Sequence, residues 1–166
     1  MANRITKISA TDFPTDGSSL SVSFEGHNNY YFIARNVAAA ATGTLEMRLN
    51  VGGSPVTNST YDSYMRVGTS STNFVDEHNT DEDSVKIQYN ALNTNSDNNF
   101  WGMIFAANEA DATYFFVKGA GTQGSTLYNT LVGARLQEDS VVNGLQILTS
   151  GATNFGQGKL IVYGMA

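Results

Sequence analysis

Leu45-Glu46-Met47-Arg48-Leu49-Asn50 sets an apolar side chain at every second position and a polar one between. A period of two is the spacing of a β-strand with one face in a core and the other turned outward. The same period runs through Leu20, Val22 and Phe24. It returns in Val85, Ile87, Tyr89 and Ala91, which alternate with Lys86, Gln88 and Asn90. Tyr30 and Phe32 share one face of a strand, Tyr31 and Ile33 the other. Tyr114-Phe115-Phe116-Val117 and Leu160-Ile161-Val162-Tyr163 are apolar at every position, which predicts strands covered on both sides.

Between these runs lie breakers: Gly52-Gly53-Ser54-Pro55, the 68–83 segment, 93–99, Gly119 to Ser125, and Ser150 to Gly158. Ala38 to Ala41 is short, uncapped and followed by Thr42-Gly43, so it predicts a loop or one turn rather than a helix. Asn143-Gly144 fits a two-residue hairpin turn or a bulge within one strand from Val141 to Leu148. The bulge is preferred, because only a short strand would precede a turn there. Roughly nine or ten strands and almost no helix predict an all-β chain. The expected architecture is an antiparallel β-sandwich, jelly-roll-like, in a single domain over 1–166.

The composition agrees and excludes several functions. The 166 residues are enough to bury roughly 70% of the unfolded surface without staples. Charged residues are 14%, against about 25% in an average protein. Polar uncharged side chains replace them, with 17 Asn, 17 Thr and 15 Ser. The net charge is −6 and the nine Lys and Arg are scattered, so no basic stripe exists to neutralise phosphates and no nucleic-acid partner is expected. With no Cys there is no disulfide, thiolate nucleophile or Cys-based zinc site. No apolar run approaches ~18 residues, so no membrane partner is expected. Met1-Ala2-Asn3-Arg4-Ile5 lacks the apolar stretch of a signal peptide, so a surface-exposed role would call for release by another route, such as lysis.

Individual residues carry little catalytic signal. Asp76, Glu77, His78, Asp81, Glu82 and Asp83 form an acidic loop that lacks the spaced ligand order of a calcium site. Contact with basic groups of a partner subunit is its other candidate role. His27 and His78 fall in predicted loops, with no G-x-S-x-G elbow and no H-E-x-x-H pair. No catalytic residue, cofactor or metal site is expected. Asn58-Ser59-Thr60 matches a glycosylation sequon, a coincidence in so Asn-, Ser- and Thr-rich a chain. Trp101, within Asn98-Asn99-Phe100-Trp101-Gly102, reads first as a core aromatic on a strand. If exposed, it would stack on a sugar while Asn98 and Asn99 bind hydroxyls, joined by Tyr61 and Tyr64 from the neighbouring loop.

Several stretches together resemble a family of small structural proteins of tailed bacteriophages, often from aquatic hosts. They are Ser18-Ser19-Leu20-Ser21-Val22-Ser23-Phe24, Tyr30-Tyr31-Phe32-Ile33, Leu45-Glu46-Met47-Arg48-Leu49-Asn50, Tyr61-Asp62-Ser63-Tyr64 and the closing run from Ser150 to Met165. The family's Tyr-Gly-Ile ending stands here as Tyr163-Gly164-Met165. The resemblance implies a non-enzymatic jelly-roll virion protein, either a capsid decoration (cement) protein or a tail-fibre or tail-tip domain. Decoration is the leading expectation, since no coiled-coil or collagen-like stalk is present. It implies the major capsid protein or other virion subunits as partners, and a homo-oligomer such as a trimer. Asn3, Arg4 and Lys7, locally basic in an acidic chain, are the expected anchoring residues. Residues 1–9 would then be an arm, or else the first strand of the sandwich.

Overall fold

The computed structural model describes residues 4–41, 43–70, 74–88, 97–109, 111–123 and 125–166. The strands are β1 (Ile5–Asp12), β2 (Ser19–Ser23), β3 (Asn29–Ala39), β4 (Leu45–Val51), β5 (Ser54–Pro55), β6 (Tyr61–Thr69) and β7 (Val75–Glu82). They continue with β8 (Val85–Lys86), β9 (Asp97–Phe105), β10 (Thr113–Gln123), β11 (Thr126–Leu136), β12 (Val142–Thr149) and β13 (Phe155–Met165). Among the described residues the only helical element is the 3₁₀ turn Ser150–Ala152.

The strands form two antiparallel sheets. The larger has eight strands in the order β1-β13-β3-β9-β10-β11-β6-β7. The smaller runs β2-β12-β4-β5, with β8 also paired to β4. Alternation places the core between them. From the larger sheet come Tyr30, Phe32, Phe100, Ile104, Phe115, Val117, Val132, Leu160 and Val162. They meet Val22, Leu45, Met47, Leu49, Leu145 and Ile147 of the smaller sheet in one apolar cluster. Gly102 lies between Phe100 and Ile104 on the inner face of β9 and lets the Phe32 ring lie over the backbone: a Cβ there would come within 2.5 Å of Phe32 Cζ.

Several expectations need correction. The 68–83 stretch is largely strand: β6 continues to Thr69, and β7 follows as an edge strand of polar and acidic residues. Such an edge discourages pairing with another chain. Ala38 and Ala39 are not a loop but the end of β3, which bulges between Ala34 and Val37 with Asn36 at φ 52°. The breaker expected from Ser150 to Gly158 ends earlier: β13 begins at Phe155 and bulges twice, so Gly156 and Gly158 sit inside the strand. Gly164 makes room for the His27 ring, which a Cβ there would meet. The Asn143-Gly144 pair is a bulge within one strand, as preferred: the pairing of β12 with β4 shifts register between Val142 and Gly144. Tyr89 to Ala91, expected to prolong the strand from Val85, lie outside the described residues. So does Asn3. Arg4 and Lys7 are exposed, and Lys7 belongs to β1, which is paired along its length with β13. Residues from Ile5 onward are therefore the first strand and not a free arm.

Candidate functional site

The runs that are apolar on both sides hold the largest departure from expectation. Their second face is not covered. It forms the outer surface of the larger sheet and carries most of the chain's exposed aromatics.

Strand register explains how they assemble. Directly opposed positions cross the whole sheet in one line: Lys7, Tyr163, Tyr31, Met103, Phe116, Gly133, Tyr64, His78. A second line, two residues along, reads Ile161, Ile33, Trp101, Lys118, Leu131, Arg66, Asp76. A third joins Phe105, Tyr114, Arg135 and Asp62. Cross-strand neighbours on one face touch, so the rings form a chain. Tyr31 lies 6.1 Å from Tyr163 and 5.9 Å from Trp101, centre to centre. Trp101 meets Phe116 edge-on at 5.3 Å, and Phe116 stacks on Phe105 at 5.9 Å. Trp101 stays 37% exposed and Tyr114 52%.

Gly133 leaves a gap in the first line. A Cβ built on it would have nothing within 4 Å. The gap is the floor of an open groove of about 390 Å³, lined among others by Tyr64, His78, Phe105, Tyr114, Phe116 and Arg135. A second hollow, of about 360 Å³, lies toward the other end of the strands, between Trp101, Arg35, Asn99, Lys118 and Asn129.

Ion pairs border the groove. Arg135 holds Asp62 through Nε and Nη2 at 2.9 and 2.8 Å. This guanidinium keeps the Asp62 carboxyl below the usual aspartate range. Arg66 pairs with Asp76 at 2.9 and 3.1 Å. Its guanidinium and the Tyr64 hydroxyl both lower the Asp76 carboxyl, and the Asp76 carboxylate in turn raises the Tyr64 phenol. In register, Tyr64 stands two residues along β6 from Arg66 and Tyr114 directly opposite Arg135, so each exposed tyrosine of the groove neighbours an ion pair.

Of the residues proposed for ligand contact, Trp101, Asn99 and Tyr64 lie on this outer face. Trp101 is on a strand, as expected, but points away from the core. Asn98 and Tyr61 are corrections. Asn98 is buried and joins β9 to β3, its Nδ2 donating to the Val37 carbonyl at 3.0 Å and its Oδ1 accepting from Gln88. Tyr61 is fully buried, and its hydroxyl accepts from the Leu49 N–H at 2.8 Å. The reason is the strand period: Tyr61 and Tyr64 are three apart, as are Asn98 and Trp101, so each pair splits between the two faces.

The acidic stretch is largely neutralised within the chain. Asp76 pairs with Arg66, Glu77 with Lys86 at 3.4 Å and Asp83 with Arg48 at 3.2 Å. Among the described residues no three His, Asp or Glu side chains gather as a metal site, and no helix is long and apolar enough to cross a membrane. Sequence reasoning missed Tyr31, Phe105, Tyr114, Phe116, Gly133 and Arg135. The signal lies in the runs apolar on both sides, whose pattern is the same for a strand buried on both faces as for one with an open apolar face.

No protein-family model matches this chain, and no curated protein does either. Among solved structures it is similar to a fructofuranosidase of Schwanniomyces occidentalis, the E230A variant complexed with fructosylnystose, at 10% identity and TM-score 0.35. That likeness covers 99% of this chain and 35% of the other, so the chain spans about a third of the enzyme's length. It is also similar to the CBM2 module of the evolved Dit of Lactobacillus casei BL23 phage J-1, at 16% identity and TM-score 0.28, covering 89% of this chain and 68% of the other. Likeness at these scores leaves function to be decided by the geometry.

Proposed function

We propose that this chain is a non-enzymatic structural protein of a bacteriophage virion, and that the outer face of its larger sheet is a receptor-binding surface. The phage setting comes from the sequence resemblance. The binding surface is carried by one observation, the uncovered aromatic face with a groove in it. A contiguous exposed apolar patch ringed by charge marks an interaction surface in a protein of this size. Trp, Tyr, Phe, Met and Arg are the residue types that concentrate binding energy. A surface shaped only to rest on a flat neighbour would have no need of the Gly133 gap. A groove with apolar walls and polar groups at its rim is the layout of a site for a small ligand.

The capsid-decoration reading is second, and a different observation favours it. β1 is an edge strand with Ile5 68% exposed and Arg4 and Lys7 beside it. An unpaired edge with an apolar side chain and basic neighbours suits strand addition to an acidic partner, such as a virion subunit. In both readings many copies on one particle make weak single contacts sufficient.

Immunogold electron microscopy of the parent virus, with antibody against the recombinant chain, tests both. Label at the tail tip or fibres supports the receptor-binding reading. Label over the head overturns it in favour of decoration. Particles without label overturn the virion assignment itself.

A further inference from the structure

We propose that the groove over Gly133 is a binding site for a neutral pyranose ring of a polysaccharide, held between Tyr64 on one wall and Tyr114 and Phe116 on the other. This deepens the reading of the outer face as a receptor-binding surface and rests on it.

Gly133 itself is the starting observation. Glycine within a strand costs roughly 0.5–1 kcal/mol relative to alanine. Two structural reasons normally justify it, a positive φ or a close neighbour. Gly133 has neither: its φ lies outside the left-handed range and nothing stands within 4 Å of a built Cβ. The other outward positions of β11, at Leu127, Asn129, Leu131 and Arg135, all carry side chains. The structural consequence of the missing side chain is therefore open space.

The dimensions suit a sugar ring. Tyr64 and Phe116 oppose Gly133 from either side, one strand away each. Two strand spacings separate their backbones, roughly 10 Å. This leaves room for one saturated ring between aromatic side chains. The groove's 390 Å³ falls within the ~300–1,000 Å³ of small-ligand sites. The chemistry also fits. A pyranose has apolar C–H faces and a girdle of hydroxyls. Aromatic walls accept the faces, while Asp62, Arg135 and His78 at the rim offer acceptors and donors to the girdle.

Charge selects the class. Asp62 is already paired with Arg135, and Asp76 with Arg66. The rim therefore has little net charge to spend on an anion, and the chain as a whole carries −6. An acidic sugar would meet repulsion; a neutral one would not. Phe116 is packed between Trp101 and Phe105, so this wall is held before the ligand arrives, which lowers the ordering cost of binding.

The test uses the full chain on an array of neutral and acidic glycans. Titration calorimetry follows, with short oligomers of glucose, galactose, mannose and N-acetylglucosamine. Wild type is expected to bind at least one neutral glycan. Gly133→Val should fill the groove, weaken that binding by at least about tenfold, and leave thermal stability equal or higher. Tyr64→Ala should weaken it to a similar degree, and guards against any unforeseen effect of the valine on folding. No binding to a neutral glycan, binding confined to acidic glycans, or binding undiminished in Gly133→Val would each overturn the proposal. Adsorption of the labelled chain to host cells separates this from the broader reading. Loss of adsorption in Trp101→Ala, without any glycan binding, keeps the receptor-binding face and rejects the saccharide. Glycan binding without adsorption does the reverse.

Discussion

Removing one buried oxygen, by Tyr61→Phe, tests whether Tyr61 belongs to the core. The ring is fully enclosed and stands edge-on to Phe115 at 6.5 Å. Its hydroxyl accepts from the Leu49 N–H at 2.8 Å and lies 3.4 Å from the carbonyls of Leu49 and Val56. It thereby ties β6 of the large sheet to β4 and the strand turn beyond it. Phenylalanine keeps the ring and strands the Leu49 N–H in an apolar interior. A buried donor left without a partner costs about 1–3 kcal/mol. The middle of that range, about 2 kcal/mol, lowers Tm by about 4–8 °C for a chain of this length. In urea the midpoint should fall while the slope m stays constant, because the surface exposed on unfolding is unchanged. Burial also holds the Tyr61 phenol far above its ordinary value of 10.0. A raised value in the folded state means that this stabilisation is complete below pH 10 and is lost as pH rises beyond it. Tyr61→Phe should therefore flatten the alkaline fall in stability. A change below about 0.5 kcal/mol, within the range of ordinary surface substitutions, would refute the placement of this hydroxyl. So would an intact fold with ligand binding abolished.

Gly102→Ala should be severe, since its Cβ would press on the Phe116 carbonyl oxygen and the Phe32 ring together; a loss at or above ~3 kcal/mol by urea titration is expected, and a loss under ~1 kcal/mol would contradict the packing. Asp62 and Asp76 are held below the ordinary aspartate value of 3.8, by Arg135 and by Arg66 with Tyr64. A lowered value means that their contribution is present above pH 3.8 and fades as pH falls below it; Asp62→Asn should make the acid limb of the Tm profile shallower, and an unchanged limb would disprove the pairing. Trp101→Ala should cost no more than about 1 kcal/mol, because the indole is on the outer face, while removing the chain's one tryptophan signal; calorimetric unfolding with a loss above ~3 kcal/mol would return Trp101 to the core.

Strand existence was legible wherever one face of a strand enters the core. Leu45, Met47 and Leu49, or Leu20 and Val22, show it directly. β7 was hidden because it stands at the margin of the larger sheet, where no apolar side chains were needed to mark a period: Asp76, His78 and Thr80 alternate with Val75, Glu77 and Asn79. Ala38 and Ala39 were hidden by small side chains that suit a loop as well as a strand end. The candidate surface was half legible. Tyr114-Phe115-Phe116-Val117 announces two apolar faces, but a sequence cannot distinguish a second face covered by its own chain from one left open. The division of Tyr61 from Tyr64, and of Asn98 from Asn99, was within reach of the period-two rule once those stretches were taken as strands. The role of Gly133 was not, because an isolated glycine in a strand pattern first suggests a bulge or a close approach. Only the empty space above it shows otherwise.

The pairing of β1 with β13 has a kinetic consequence. β1 lies against β13, so during synthesis it waits for roughly 150 further residues, or roughly 8–30 s at ribosomal rates. β3, near the centre of the large sheet, waits on one side for the same partner. Hairpins such as β10–β11 are free to close early, while the half of the sheet that depends on β13 stays open. Folding that hinges on so distant a contact is slow. During that interval the nascent chain exposes both faces of its aromatic strands, and shortening β13 should therefore divert the chain into aggregates.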